Sequence, residues 1–408
     1  NDTDGDEVCD ELEVPGCTDS VACNYDAAAT DDDASCEYLT CAGCTDPFAC
    51  NFDPSAILSS TEACQFPEPG FDCSGNCTGP TTPSGDCDPD QFACSPYPVG
   101  VDTLNLPSTY IAQVALSGDG TILALGLPNT SASPGQYCGA VQVWEKAGPG
   151  WTLLDSTLFG SWDNAYFGTS LDLNHDGTLL VVGSPANYSN SMPGAVAAFE
   201  RIGSGYELLG DTLSGDQGGS RYGQAVAIDS AGVRILVGAP RFDSDGASNT
   251  GLMQVFGWDN DAWSLQASFP GDAGDEFGST VTISDDGLTC ASGGRRNNGS
   301  SAGIVRAFRF FPAISAWLQR GADLTGLTNE YAGYYGTSLK LDASGLLMAI
   351  GAPYADHLGK TNCGRTTIYF WDGSVWTIVG QPIHGETAWD YSGYALDFAE
   401  NGSSLFIG

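Results

Sequence analysis

Positive charge is what this chain lacks most. Of 408 residues only 13 are Lys or Arg, against 51 Asp or Glu, for a formal net charge of −38. The first hundred residues contain no Lys, Arg or His, and the first cation is Lys146. A surface of that sign repels phosphate, which argues against nucleic acid and anionic membranes as partners. It suits divalent cations, cationic partners or solubility in salty surroundings. Long hydrophobic runs are also missing: no apolar stretch reaches the length of a membrane span, so no membrane insertion is expected within these residues. No secretory leader is recognisable, and the chain is read as beginning after processing or inside a longer precursor. Histidine is scarce. His175, His357 and His384 fall in loops or beside turns, with no Ser or carboxylate gathered around them in sequence.

What is present from about residue 110 onward is a repeat. A turn closing on Gly recurs at Gly120, Gly177, Gly232, Gly287, Gly345 and Gly402, at spacings of 57, 55, 55, 58 and 57 residues. Before most turns stands an aromatic-Gly pair: Phe167-Gly168, Tyr222-Gly223, Phe277-Gly278 and Tyr335-Gly336. After them an apolar run ends in Gly-x-Pro, at Gly126, Gly183, Gly238 and Gly351. A fixed period of this size marks a unit that buries its faces only against copies of itself. The third repeat reads as four strands: Tyr222–Asp229, Ile235–Gly238, Leu252–Trp258 and Trp263–Phe269. Val, Ile and aromatic content with Asp-Gly punctuation favours strands and hairpins. Four-stranded units arranged radially give a β-propeller, with a solenoid as the competing stack.

These signatures resemble the FG-GAP repeat family, whose Phe-Gly and Gly-Ala-Pro motifs stand here at Phe167-Gly168 and Gly238-Ala239-Pro240. The resemblance covers roughly residues 108–408. It implies an all-β propeller, usually seven-bladed, of the kind found in integrin α-subunit heads; about six repeats are visible. Family members often bind Ca²⁺ in an Asp-rich first loop. Here those loops read Ser117-Gly-Asp-Gly120, Asn174-His-Asp-Gly177 and Ser284-Asp-Asp-Gly287, too few carboxylates for a calcium cage, and they are taken as hairpin turns. The sixth repeat stops at Phe406-Ile407-Gly408, after its second strand. Residues 99–106 resemble the fourth-strand run Leu209-Gly-Asp-Thr-Leu213 and are expected to supply an outer strand to the last blade.

Residues 1–107 are a different material, a small disulfide-rich arm. The first hundred residues hold 12 of the 15 cysteines and 21 of the 51 acidic residues. Residues 1–15 form an Asp-rich segment, 16–42 and 43–79 two Cys-rich modules, and 80–107 a Cys-containing linker and propeller entry strand. Gly16-Cys-Thr-Asp-Ser-Val-Ala-Cys-Asn-Tyr-Asp26 is echoed by Gly43-Cys-Thr-Asp-Pro-Phe-Ala-Cys-Asn-Phe-Asp53. The pattern resembles tandem modules of large secreted proteins of marine microbes. The disulfide candidates are Cys9, Cys17, Cys23, Cys36, Cys41, Cys44, Cys50, Cys64, Cys73, Cys77, Cys87 and Cys94. Zinc is the alternative, but Cys41-Ala-Gly-Cys44 has no partner pair. Disulfides place the chain in an oxidising, extracellular setting, associated with the cell surface. Six sequons agree: Asn1, Asn76, Asn129, Asn187, Asn298 and Asn401. Asn129, Asn187 and Asn298 share the loop between second and third strands, so sugars are expected on one face and partners on the rim or the other. Cys138 and Cys363 occupy matching positions before a third strand and are expected to form inter-domain or intermolecular disulfides; Cys290 is expected to be a buried thiol.

At the start, Asp2, Asp4, Asp6, Asp10 and Glu13 fall at positions 1, 3, 5, 9 and 12 of a calcium loop, with the Val8 carbonyl at position 7. The segment resembles thrombospondin type 3 repeats, and Ca²⁺ is the one cofactor expected. Glu7 stands where such loops carry Gly. No catalytic constellation is visible. Ser117-Gly-Asp-Gly-Thr121 is a partial echo of a sialidase box without its Trp. Arg295-Arg296 replaces a Gly-x-Pro ending and has the chemistry to bind a carboxylate, or is a solvated loop. Trp151, Tyr206, Trp263, Trp317 and Trp376 recur in phase and are read as packing between blades rather than as a carbohydrate platform. The expected function is a non-catalytic extracellular glycoprotein, not an enzyme, forming a structural subunit of a coat, appendage or matrix. Its expected partners are other extracellular proteins or copies of itself, with glycans as a further class. An adhesin or receptor ectodomain is the first alternative and a secreted propeller hydrolase the second.

Overall fold

The computed structural model describes residues 14–18, 26–32, 35–36, 42–43 and 58–59 of the N-terminal region. It also describes 110–408 apart from 133–135, 149, 155–156, 187–191, 297–301, 327–332, 400–401 and 403. The candidate calcium ligands of residues 2–13, residues 99–106, and the sequons other than Asn129 lie outside the described residues, as do the arm cysteines other than Cys17 and Cys36. Two compact units, Asn1–Val101 and Asp102–Gly408, make up the chain.

In the first unit a disulfide joins Cys17 to Cys36, with Cα atoms 4.8 Å apart. Pro15–Gly16 pairs in parallel with Asp31–Asp32, and Ala42–Gly43 with Leu58–Ser59. The second pairing repeats the first at an offset of 27 residues on both strands (42 − 15 and 58 − 31). The two Cys-rich modules thus share one backbone pattern.

The second unit is a β-propeller. Its third blade runs Ala225–Ile228, Arg234–Gly238, Leu252–Asp259 and Ala262–Pro270, each strand antiparallel to the next. The first, second, fourth and fifth blades carry a short extra strand that pairs back onto the third strand, as Leu213–Ser214 does on Ala195–Ile202. This is the outer strand resuming after an interruption. In the third blade the outer strand is continuous, with a register shift opposite Val255 and Phe256. Leu396–Phe398 and Leu405–Ile407 form the last pair. Among the described residues there is no α-helix, and no helix is long and apolar enough to cross a membrane.

The core lies between blades. Ile122, Val141 and Val143 of the first blade pack with Leu171, Leu173 and Leu180 of the second. Val181 and Val196 of the second pack with Ile228, Ile235 and Phe256 of the third. That explains second strands such as Leu179–Ser184 that are apolar on both sides: each sheet is covered twice. The in-phase aromatics seal the same seams. Trp263 donates to the Leu209 carbonyl of the preceding blade at 3.3 Å, and Trp376 to that of Arg320 at 2.9 Å.

The signature glycines are explained at these seams. A Cβ on Gly183 would collide with the Gly223 carbonyl of the next blade, and one on Gly238 with that of Gly278; Gly126/Gly168, Gly293/Gly336 and Gly351/Gly393 repeat the arrangement. Backbone rests on backbone. Ser170 and Ser338 hydroxyls add bonds across their seams, to Gly223 and Gly393 carbonyls at 2.8 and 2.6 Å.

Cys138 and Cys363 are free thiols, and neither exposes any surface; the arm cysteines expected as their partners, apart from Cys17 and Cys36, lie outside the described residues. The Cys138 and Cys363 thiols point inward, toward the Thr130 carbonyl at 3.6 Å and the Ala355 carbonyl at 3.7 Å. Cys290 is also a free buried thiol, with its pKa raised by burial.

Candidate functional site

Successive inner strands contact one another around the propeller axis. Two residues before each first turn the inner strands carry Ala115, Asp172, Ala227, Thr282, Lys340 and Asp397. Where that position is polar, it reaches the next blade. Asp172 accepts the Ile228 backbone N–H at 3.0 Å, Thr282 accepts that of Leu341 at 3.1 Å, and Lys340 Nζ lies 2.9 Å from Asp397 Oδ1. Asp172 also feels the charges of Lys340 and Asp397, although it stands on the second blade and they stand on the fifth and sixth. The three thus lie within electrostatic reach of one another although Asp172 comes from a blade distant in sequence from the other two.

Burial raises the Asp172 carboxyl above its ordinary range, against the pull of Lys340 and of the N–H groups of Ile228 and Leu173. For Lys340 burial acts downward, but the carboxylates of Asp172, Asp397 and Asp285 outweigh it, and the ammonium is held protonated. The Lys340 side chain keeps 41% of its surface open while protein encloses it on most sides, as befits a channel wall. One end of the channel thus holds a carboxyl with raised proton affinity, a fixed cation, and a second carboxylate bound to that cation.

The first turns close this end. Asp119 N–H donates to the His175 carbonyl, His175 N–H to that of Ser230, and Asp285 N–H to that of Ala343, linking neighbouring turns. Gly118 leaves the space that the His175 ring fills. Asp119 and Asp176 are turn residues. Ser117 donates to Asp119 at 2.6 Å and Thr178 to Asp176 at 2.6 Å, and these bonds lower both carboxyl pKa values. His357 and His384, distant in sequence, stack with ring centroids 3.6 Å apart. Among the described residues no group of three or more His, Cys, Asp or Glu is arranged to hold a metal ion.

Sequence reasoning missed this site. Its members share a register position but not a residue type, so only the repeat phase links Asp172 to Lys340 and Asp397. No protein-family model matches the chain, and no curated protein matches it in sequence. Three solved structures are similar in fold. One from Bacteroides uniformis, described as a 6-phosphogluconolactonase, is 14% identical with a TM-score of 0.49, covering 72% of this chain and 76% of its own. The periplasmic gluconolactonase of Pseudomonas aeruginosa is 15% identical with a TM-score of 0.48, covering 72% and 77%. A TolB of Agrobacterium tumefaciens is 11% identical with a TM-score of 0.42, covering 74% and 90%. The chain is a β-propeller. At these identities and scores the likeness bears on the fold alone; the expectations of a non-catalytic structural subunit and of no enzymatic activity are revised on the channel cluster, below.

Proposed function

We propose that the chain is a secreted propeller hydrolase whose reaction centre is the channel cluster of Asp172, Lys340 and Asp397. The observation that carries this reading is a register position on the inner strands that brings a carboxyl raised by burial within electrostatic reach of an ammonium held charged and paired with Asp397 at 2.9 Å. For an ester or lactone, Asp172 takes a proton from water as the water oxygen bonds the carbonyl carbon. Lys340 holds the oxyanion that forms. The C–O bond then breaks, and the proton passes from Asp172 to the leaving alkoxide. Asp397 keeps the Lys340 ammonium in place.

Sugar lactones are the first substrates to test, by proton release at constant pH. Asp172→Asn retains an acceptor for the Ile228 N–H and is expected to fold, with kcat reduced by about 10²-fold or more. Lys340→Met is expected to lose activity to a similar degree. Because Asp172 acts as a base only when ionised, the acid limb of kcat/KM should lie above the ordinary carboxyl value of 3.8. Folded wild-type protein that hydrolyses neither lactones nor esters, or an Asp172→Asn variant of full activity, overturns the reading.

The blade signatures support an FG-GAP-type repeat, since the glycines that define it make the seams. The Cys17–Cys36 disulfide supports an extracellular setting, where the acidic segment at residues 2–13 would bind Ca²⁺.

A further inference from the structure

Opposite the first turns, where each inner strand begins, the residue before the signature Gly pair is left-handed in every blade described there. Tyr166, Arg221, Glu276, Tyr334 and Tyr391 have φ of 53°, 60°, 55°, 49° and 53°. Non-glycine residues adopt this conformation at a cost, and here the backbone is held by repeated bonds, such as Thr337 N–H and hydroxyl to the Tyr334 carbonyl. The backbone repeats while the side chain changes. A repeated conformation serves the fold; side chains that vary on it are free for another purpose.

Over the fourth to sixth blades these side chains join others into one surface. The Tyr354 ring meets Tyr334 at 5.3 Å and Tyr391 at 5.2 Å, both edge to face, and Trp389 lies 6.3 Å from Tyr391. Tyr394 and Arg295 are close enough to influence the Tyr354 hydroxyl. Trp389 and Tyr394 are each 59% exposed, so the rings form a wet cradle rather than a core. At its edge Arg295 and Arg296, with side chains 45% and 44% exposed, share the single carboxylate of Glu276 at 3.8 and 3.3 Å. Two cations against one anion leave a positive spot in a chain of net charge −38.

We propose that this surface binds an acidic carbohydrate, a uronic-acid-containing glycan. Its sugar rings lie on Tyr354, Tyr391 and Trp389, and its carboxylate meets Arg295 and Arg296. Aromatic faces accept the C–H faces of pyranose rings, and the planar guanidinium forks match a carboxylate. The site is separate from the channel cluster and does not depend on the proposed hydrolysis.

The test is calorimetric titration of the whole chain with a short oligogalacturonate, in EDTA so that divalent cations form no bridges. The sequon at Asn298 adjoins Arg296, so native and enzymatically deglycosylated protein are both used, and binding by either supports the proposal. Binding should weaken with salt and should be lost to the fully methyl-esterified oligomer, which keeps the rings without the charge. Arg295→Ala/Arg296→Ala and Trp389→Ala should each weaken it by about tenfold or more with an unchanged melting temperature, since all three side chains are exposed. No binding by either form overturns the proposal. So does equal binding of the esterified oligomer, or of polyglutamate, which carries charge without sugar rings.

Discussion

Replacing Gly238 by Ala is expected to cost on the order of 3 kcal/mol, because the added methyl meets the Gly278 carbonyl and backbone cannot step aside as a side chain can. Gly246→Ala is the control: with φ of 80° and open space around it, it should cost only about 1–2 kcal/mol, the left-handed penalty alone. Urea denaturation of both variants makes the comparison. Two charged residues carry pH signatures of opposite sign. Asp176 has a lowered pKa, caused first by its bond from Thr178, so its stabilising contribution is present above 3.8 and is lost as pH falls through the folded value. Asp176→Asn should therefore be less stable than wild type at neutral pH, with the gap closing in acid. The Lys340 pKa is raised, so its contribution is full below 10.5 and is lost as pH rises through the folded value. Lys340→Met should lose its disadvantage in alkali. Denaturation midpoints across pH read both effects.

At the scale of elements, the disulfide offers a direct prediction. The two Cys-rich modules pair their strands at the same offset, and Cys44 and Cys64 correspond to the bonded Cys17 and Cys36. Peptide mapping without reduction should recover a Cys44–Cys64 linkage; Cys44 linked elsewhere would separate the modules. The hairpins show what was legible in sequence. Every turn glycine from Gly120 to Gly402 lies at φ between 67° and 71°, and the third-blade strands begin and end within three residues of the sequence reading. Those features are local, written in glycine conformation and strand propensity. The resumed outer strands, such as Leu324–Thr325, were not legible, because each is two residues long and held only by its partner strand. The channel site was hidden for a different reason. Asp172 and Lys340 come within electrostatic reach of each other from the second and fifth blades, and nothing near either residue in sequence names the other. The matching positions of Cys138 and Cys363 were legible, but not that both thiols face carbonyls inside the loop that precedes the third strand.

At the scale of the whole molecule, charge is the dominant long-range term. With 51 acidic and 13 basic residues, self-repulsion opposes the compact state at low ionic strength. Raising salt from about 0.01 M to about 0.15 M shortens the screening length from about 30 Å to about 8 Å and should raise the melting temperature. A midpoint that falls with added salt would show that local ion pairs, such as Arg306 with Asp272 and Asp323, outweigh the net repulsion.

The glycine seams also set the mechanics of the molecule. A joint made of interdigitated side chains can yield, since rotamers change and gaps refill. A joint made of one main chain against another has no such slack, and a shift between blades must break contacts at Gly183, Gly238 or their counterparts. Blades seated this way cannot rock one by one to admit a ligand. Whatever enters the channel or settles on the tyrosine cradle must be met by loops and side-chain tips, while the seams between blades stay rigid.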